Sequence, residues 1–155
     1  MRTLRKLMMM LCGLATVCMA EAKTGSDSGD AIIGIYEVVS GKDISKVEIY
    51  KCSDGSYGGR IIWVKNSTDE NGNPRLDEKN SDPKMRNRRA DEIVLLKDLK
   101  YDAAENQWGG GTVYNPFDGN TYDVVIEFEG VNRLKVRGYI RKPIFGKTYY
   151  WKKLK

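Results

Sequence analysis

Three features limit the chemistry open to this 155-residue sequence: it has no histidine, its carboxylates are scattered, and only Cys52 lies outside the N-terminal apolar run. Without imidazole there can be no Ser-His-Asp or Cys-His pair, no imidazole general base and no histidine-ligated metal. Cys52 therefore has no partner base and reads as a free or partly buried thiol. No two carboxylates sit together in apolar company of the kind that would raise one for acid catalysis. Asp123 and Glu127 share a strand face with Thr121 and read as solvated. Asp69-Glu70-Asn71-Gly72-Asn73 offers oxygen at alternate positions, but Pro74 stands where a calcium loop needs glycine and no glutamate closes it. Trp108-Gly109-Gly110-Gly111 lacks the Lys-Ser/Thr of a phosphate loop and no helix follows, so it reads as a bulge or a close strand crossing. No catalytic residue, metal ligand or cofactor is assigned.

Binding chemistry is better supplied. Tyr36, Trp63, Trp108, Tyr114, Tyr122 and Trp151 are candidates to line a site for a small apolar or amphipathic ligand. Arg60 or Arg137 would anchor a carboxylate by a bidentate pair. Against this, large aromatics mostly fill cores, which leaves at most about a third of these side chains for a pocket. Charge is uneven along the chain. Residues 130–155 hold nine Lys/Arg and no Asp/Glu, whereas residues 23–129 hold 14 basic and 20 acidic residues. Such asymmetry suits an anionic envelope surface, either lipid or lipopolysaccharide, or an acidic protein. It equally suits internal pairing with the acidic strand at 122–129. In the basic segment Leu134, Val136 and Ile140 alternate with Arg133, Lys135 and Arg137, and the pattern predicts the apolar row inside and the cations outside.

These side chains must be positioned by strands. Residues 32–39, 46–52, 57–65, 93–99, 108–114, 122–128, 134–140 and 147–154 alternate apolar with polar or carry β-branched and aromatic residues. Asp54-Gly55, Pro116-Phe117-Asp118-Gly119 and Glu129-Gly130 are turn signals between them. Residues 66–89 break the rhythm as a long polar loop containing Asn71-Gly72-Asn73-Pro74 and Asp82-Pro83, and loops of this size are often functional. About eight strands joined mostly by hairpins, with no amphipathic helix, give an all-β antiparallel meander. Closing it into a small barrel removes the exposed edges, and an open sandwich is the alternative.

The N-terminus differs. Arg2, Arg5 and Lys6 precede an uncharged run over residues 7–20, and small residues at Cys18-Met19-Ala20 or Ala20-Glu21-Ala22 follow. This order is that of a secretory signal peptide over 1–22, and the run is too short to span a membrane. Leu11 and Val17 before the two cysteines argue against lipidation. Residues 23–30 read as a flexible polar leader and 31–155 as one domain. The expected product is an exported monomer in the periplasm or outside a bacterial cell. It has no transmembrane segment and no nucleic-acid partner. With one cysteine left after processing, it has no internal disulfide.

Several stretches together resemble the DUF2147 family of exported bacterial proteins. They are Gly34-Ile35-Tyr36, the Lys46 to Cys52 stretch with Asp54-Gly55, Gly59-Arg60-Ile61-Ile62-Trp63, Asp82-Pro83, and Trp108-Gly109-Gly110-Gly111-Thr112-Val113-Tyr114 with Pro116 and Asp118-Gly119. Leu134-Lys135-Val136-Arg137-Gly138-Tyr139, Phe145-Gly146 and Trp151 complete the set, which covers nearly all of 31–153. The resemblance implies a lipocalin-like, calycin-type barrel of unknown function. Gly34-Ile35-Tyr36 is similar to the lipocalin Gly-x-Trp, with Tyr in place of the usual Trp. Many relatives carry a second cysteine after the Asp-Gly turn, where this chain reads Tyr57-Gly58-Gly59.

Overall fold

In the computed structural model, residues 28–155 are described; the signal peptide expected over 1–22 and the leader up to residue 27 lie outside the described residues. Eight strands run in chain order: β1 (Gly34–Ser40), β2 (Asp43–Lys51), β3 (Tyr57–Val64), β4 (Val94–Asp102), β5 (Gln107–Asn115), β6 (Asn120–Phe128), β7 (Arg133–Tyr139) and β8 (Gly146–Lys153). Each pairs antiparallel with the next, and β1 pairs with β8, so the sheet is a closed barrel rather than a sandwich. Closure leaves no strand as a free outer edge of the sheet. Among the described residues no helix is long and apolar enough to cross a membrane.

A meander places alternate turns at opposite ends. One end carries the β2–β3, β4–β5 and β6–β7 turns and is plugged by a 3-10 helix, Ser28–Ile32. Three residues read from the sequence as leader, Ser28 to Asp30, thus belong to the barrel. The plug is fixed by side chains of three strands. Trp108 Nε1 donates to the Gly29 carbonyl at 3.0 Å, Tyr36 Oη to the Ile32 carbonyl at 2.8 Å, and Tyr57 Oη to Asp30 Oδ1 at 2.6 Å. Lys51 also donates to Asp30, and these two hydrogen bonds, Lys51's first, hold its carboxyl below the usual range. Trp108 packs between Tyr101 and Phe128, with ring centroids 4.9 and 5.7 Å away. Below the plug lies a packed core that includes Ile49, Leu99, Ile126 and Leu134.

The three glycines after Trp108 bend the sheet. Pairing of β5 with β6 shifts by one residue between Trp108 and Gly111, Gly110 has φ +71°, and Asp98 opposite on β4 has φ +57°. A Cβ on Gly111 would collide with the Lys97 carbonyl, so the backbones cross where only glycine fits. In β7 the alternation holds: Leu134 and Val136 are buried while Arg133, Lys135 and Arg137 face outward. Ile140, the third member of the apolar row, lies beyond the strand end and is exposed.

Candidate functional site

The other end of the barrel is open. It carries the β1–β2, β5–β6 and β7–β8 turns and the long β3–β4 connection, residues 65–93, which folds over one side of the mouth as a strap. A cavity of about 910 Å³ descends from this end between the strands. Its floor is buried and apolar: Ile61, Leu95, Val136 and Trp151. Val38, Val64, Ile93 and Val113 continue the wall upward. The rim is mixed, with Asp43, Arg75, Glu78, Tyr114, Asp118, Tyr122 and Lys147 alternating with Leu76, Phe117, Ile140 and Phe145. An apolar well with a few polar groups at its mouth is the common form of a small-molecule site.

The strap is built around a buried carboxylate. Asp77 is 1% exposed and accepts from Tyr114 Oη at 2.6 Å, Asn80 Nδ2 at 2.8 Å and Arg88 Nη2 at 2.8 Å. The Asp77 N–H donates in turn to the Arg88 carbonyl at 2.9 Å, and Leu76 bridges Arg89. A carboxylate this deep needs all of these partners, because an uncompensated buried charge is costly. Two contacts tie the strap outward: Arg75 Nη1 to Asp43 at 3.1 Å, and Lys79 Nζ to the Phe117 carbonyl at 2.7 Å. Gly119 (φ +76°) lies so close under the Lys79 carbonyl that any side chain there would strike it. The strap thus joins the β1–β2 corner to the β5–β6 turn and leaves the β7–β8 side of the mouth uncovered.

The rim tyrosines are donors. Burial, followed by the neighbouring Asp77, pushes Tyr114 well above the ordinary tyrosine range. The hydrogen bond to Asp118 at 2.8 Å raises Tyr122 too. Burial pushes Asp118 up, but hydrogen bonds from the Asn120 N–H, Tyr122 and Asn115 outweigh it and leave its carboxyl below the usual range. At neutral pH both hydroxyls stay protonated and committed to carboxylates, so neither serves as a base. Among the described residues no group of three His, Cys, Asp or Glu is placed to hold a metal. Cys52 is a free, partly buried thiol at the plugged end, remote from the cavity.

The eight candidate ligand residues divide by position. Tyr114, Tyr122 and Trp151 line the cavity together. Tyr36 and Trp108 are buried in the core at the plugged end, where their polar atoms hold the 3-10 helix. Arg60, Trp63 and Arg137 lie on the outer surface. Arg60 pairs with Glu48 at 2.8 Å across the β2–β3 ladder. Trp63 is turned outward by a bulge: the β2–β3 register shifts between Lys46 and Val47, so Ile62 and Trp63 both face out and Val64 takes the inward place. Lys46 Nζ then lies over the Trp63 ring at 5.1 Å. Arg137 holds the β7–β8 turn, donating to the carbonyls of Pro143 and Ile144 and to Thr148 Oγ1. Sequence reasoning missed Asp77 and Arg88, whose partners stand 37 and 11 positions away and which carry no local signal.

A closed eight-stranded antiparallel barrel, plugged at one end by a 3-10 helix and open to an apolar well at the other, is a lipocalin-like barrel. The chain belongs to the family described as "Uncharacterized protein conserved in bacteria (DUF2147)", whose model matches residues 34–153. It is similar to a solved structure from Helicobacter pylori, protein HP1028, whose title assigns that protein to the lipocalin family. The two share 30% identity over 79% of this chain and 82% of that one, with a TM-score of 0.64. No curated protein matches the chain.

Proposed function

We propose that this barrel binds one small apolar or amphipathic molecule and performs no catalysis on it. The apolar part of the ligand occupies the well above Trp151, and its polar end meets the rim between Tyr114, Tyr122 and Lys147. The observation that carries this reading is the 910 Å³ cavity with an apolar floor and its polar groups confined to the mouth. That volume lies within the range of about 300–1,000 Å³ common to ligand pockets, and small barrels of this strand number hold single ligands at the mouth. The H. pylori relative's assignment to the lipocalin family agrees with it. The N-terminal pattern supports action after export, in the periplasm or beyond, with a mature chain starting near Glu21 or Lys23.

Two measurements test the reading. Native mass spectrometry of the purified protein should reveal a co-purifying small molecule. An apolar fluorescent probe, anilinonaphthalene sulfonate, should bind the parent protein and be excluded by Val38→Trp and Val113→Trp, which fill the wall. Probe binding indifferent to both substitutions, with no co-purifying molecule, would overturn it. Sequencing that finds Met1 on the exported protein would overturn the export reading.

A further inference from the structure

The β7–β8 turn has a composition that the barrel itself does not require. Ile140, Ile144 and Phe145 are 60%, 76% and 70% exposed. Next to them stand Arg141, Lys142 and Lys147, and among the described residues no carboxylate forms an ion pair with any of the three. The other cations of the basic segment are differently placed. Lys135 and Arg133 pair with Glu127 and Glu129, Arg137 is spent on turn carbonyls, Lys153 Nζ donates to the Ala31 carbonyl, and the exposed Lys152 and Lys155 stand at the plugged end of the barrel. At the open end, the unpaired positive charge of this segment is thereby gathered at one tip, where it stands beside exposed apolar side chains. The tip is also shaped. Arg137 gathers the carbonyls of Pro143 and Ile144 beneath it, and Arg141 turns the chain at φ +64°. Ile140, Phe145 and Lys147 belong at once to this tip and to the cavity rim, on the side of the mouth that the strap leaves uncovered.

We infer that the β7–β8 turn is a membrane-docking element that inserts Ile144 and Phe145 into the interface of an anionic phospholipid bilayer, with Arg141, Lys142 and Lys147 at the headgroups, so that the cavity mouth faces the lipid. Exposed apolar side chains ringed by unpaired cations match a surface that is anionic outside and apolar just beneath. A purely acidic surface would satisfy the cations but leave Ile144 and Phe145 without an apolar phase to enter. Docking does not depend on what fills the cavity.

The test is co-sedimentation of the purified protein with vesicles of phosphatidylglycerol mixed with phosphatidylcholine, and with vesicles of phosphatidylcholine alone, at low and high salt. The protein should sediment with the anionic vesicles and be released by salt. Arg141→Ala/Lys142→Ala should weaken partitioning by about fivefold per cation removed. Ile144→Ser/Phe145→Ser should weaken it by about tenfold or more. Both double variants should keep the parent melting temperature, since these side chains are exposed. Phe145→Trp should add fluorescence that brominated acyl chains quench. Absence of sedimentation, or sedimentation that ignores Ile144→Ser/Phe145→Ser, would overturn the inference. So would binding to polyglutamate without binding to vesicles. Val38→Trp separates the two readings, because it should lose the cavity probe and keep the vesicles.

Discussion

The hydroxyl of Tyr114, at the end of β5, donates at 2.6 Å to Asp77, a carboxylate buried in the strap 37 positions earlier. This bond fastens the strap to the barrel and sets one wall of the mouth. Because Arg88 and Asn80 hold the same carboxylate from within the strap, the three side chains order the loop and its attachment together. A long polar connection that would otherwise be costly to order is thereby given one fixed path.

Tyr114→Phe removes a hydrogen bond to a buried charge and should destabilise the protein by about 1.5–3 kcal/mol in urea denaturation. Asp77→Ala leaves Arg88 without its partner and should cost more, about 3–5 kcal/mol. Tyr122→Phe loses a bond to the exposed Asp118 and should stay within about 0.5 kcal/mol of the parent. Equal losses at Tyr114 and Tyr122 would contradict the central place of Asp77.

The three glycines of the bend should differ in their tolerance. Gly111→Ala meets the β4 backbone and should cost about 2 kcal/mol or more. Gly110→Ala meets open space but a left-handed φ, with an expected cost of about 1–2 kcal/mol. Gly109→Ala has neither obstacle and should be nearly neutral. Thermal melting of the three variants checks the order.

The rim should loosen at both extremes of pH. Asp118 has a depressed carboxyl, so its stabilising share is present above the unfolded value of about 4 and is lost as pH falls through the lower folded value. Tyr114 and Tyr122 are raised, so theirs is complete below the unfolded value of about 10 and is lost as pH rises through the higher folded values. Asp118→Ala should reduce the acid limb of a stability profile without abolishing it, because Asp30, Asp54, Asp69 and Asp91 are depressed as well. Tyr114→Phe should reduce the alkaline limb, to which Tyr36 and Tyr122 also contribute. Phenolate absorbance should show one fewer late-titrating tyrosine in Tyr114→Phe.

Arg137→Ala should leave the melting temperature almost unchanged, as should Arg133→Ala, because both side chains are on the surface. Only Arg137→Ala should speed amide exchange at Phe145, whose N–H bonds back to the Lys142 carbonyl within the turn that Arg137 gathers. Identical exchange in the two variants would place the turn's order elsewhere.

The meander was legible in the residues because alternation is local. Val124 and Ile126 on β6, and Leu134 and Val136 on β7, each report their own face through the period of two. The inward apolar row and outward cations of β7 follow from the same rule, and the Trp108-Gly-Gly-Gly bend from glycine's freedom. Which aromatics would meet one another was decided elsewhere. Trp63 and Trp151 look alike as residues, yet a single bulge at Ile62 reverses the parity of the end of β3 and turns Trp63 outward, while Trp151 stays on the cavity floor. Tyr36 and Trp108 went to the plug because residues 28–32 fold back under the barrel and offer carbonyls to their polar atoms. The strap, its buried Asp77 and the open side of the mouth exist only through contacts between distant segments. Local pattern fixes which face of a strand is apolar. Only closure of the barrel decides which end is filled, which is left hollow, and which side chains share the hollow, because those depend on register shifts and loop paths that no single segment encodes.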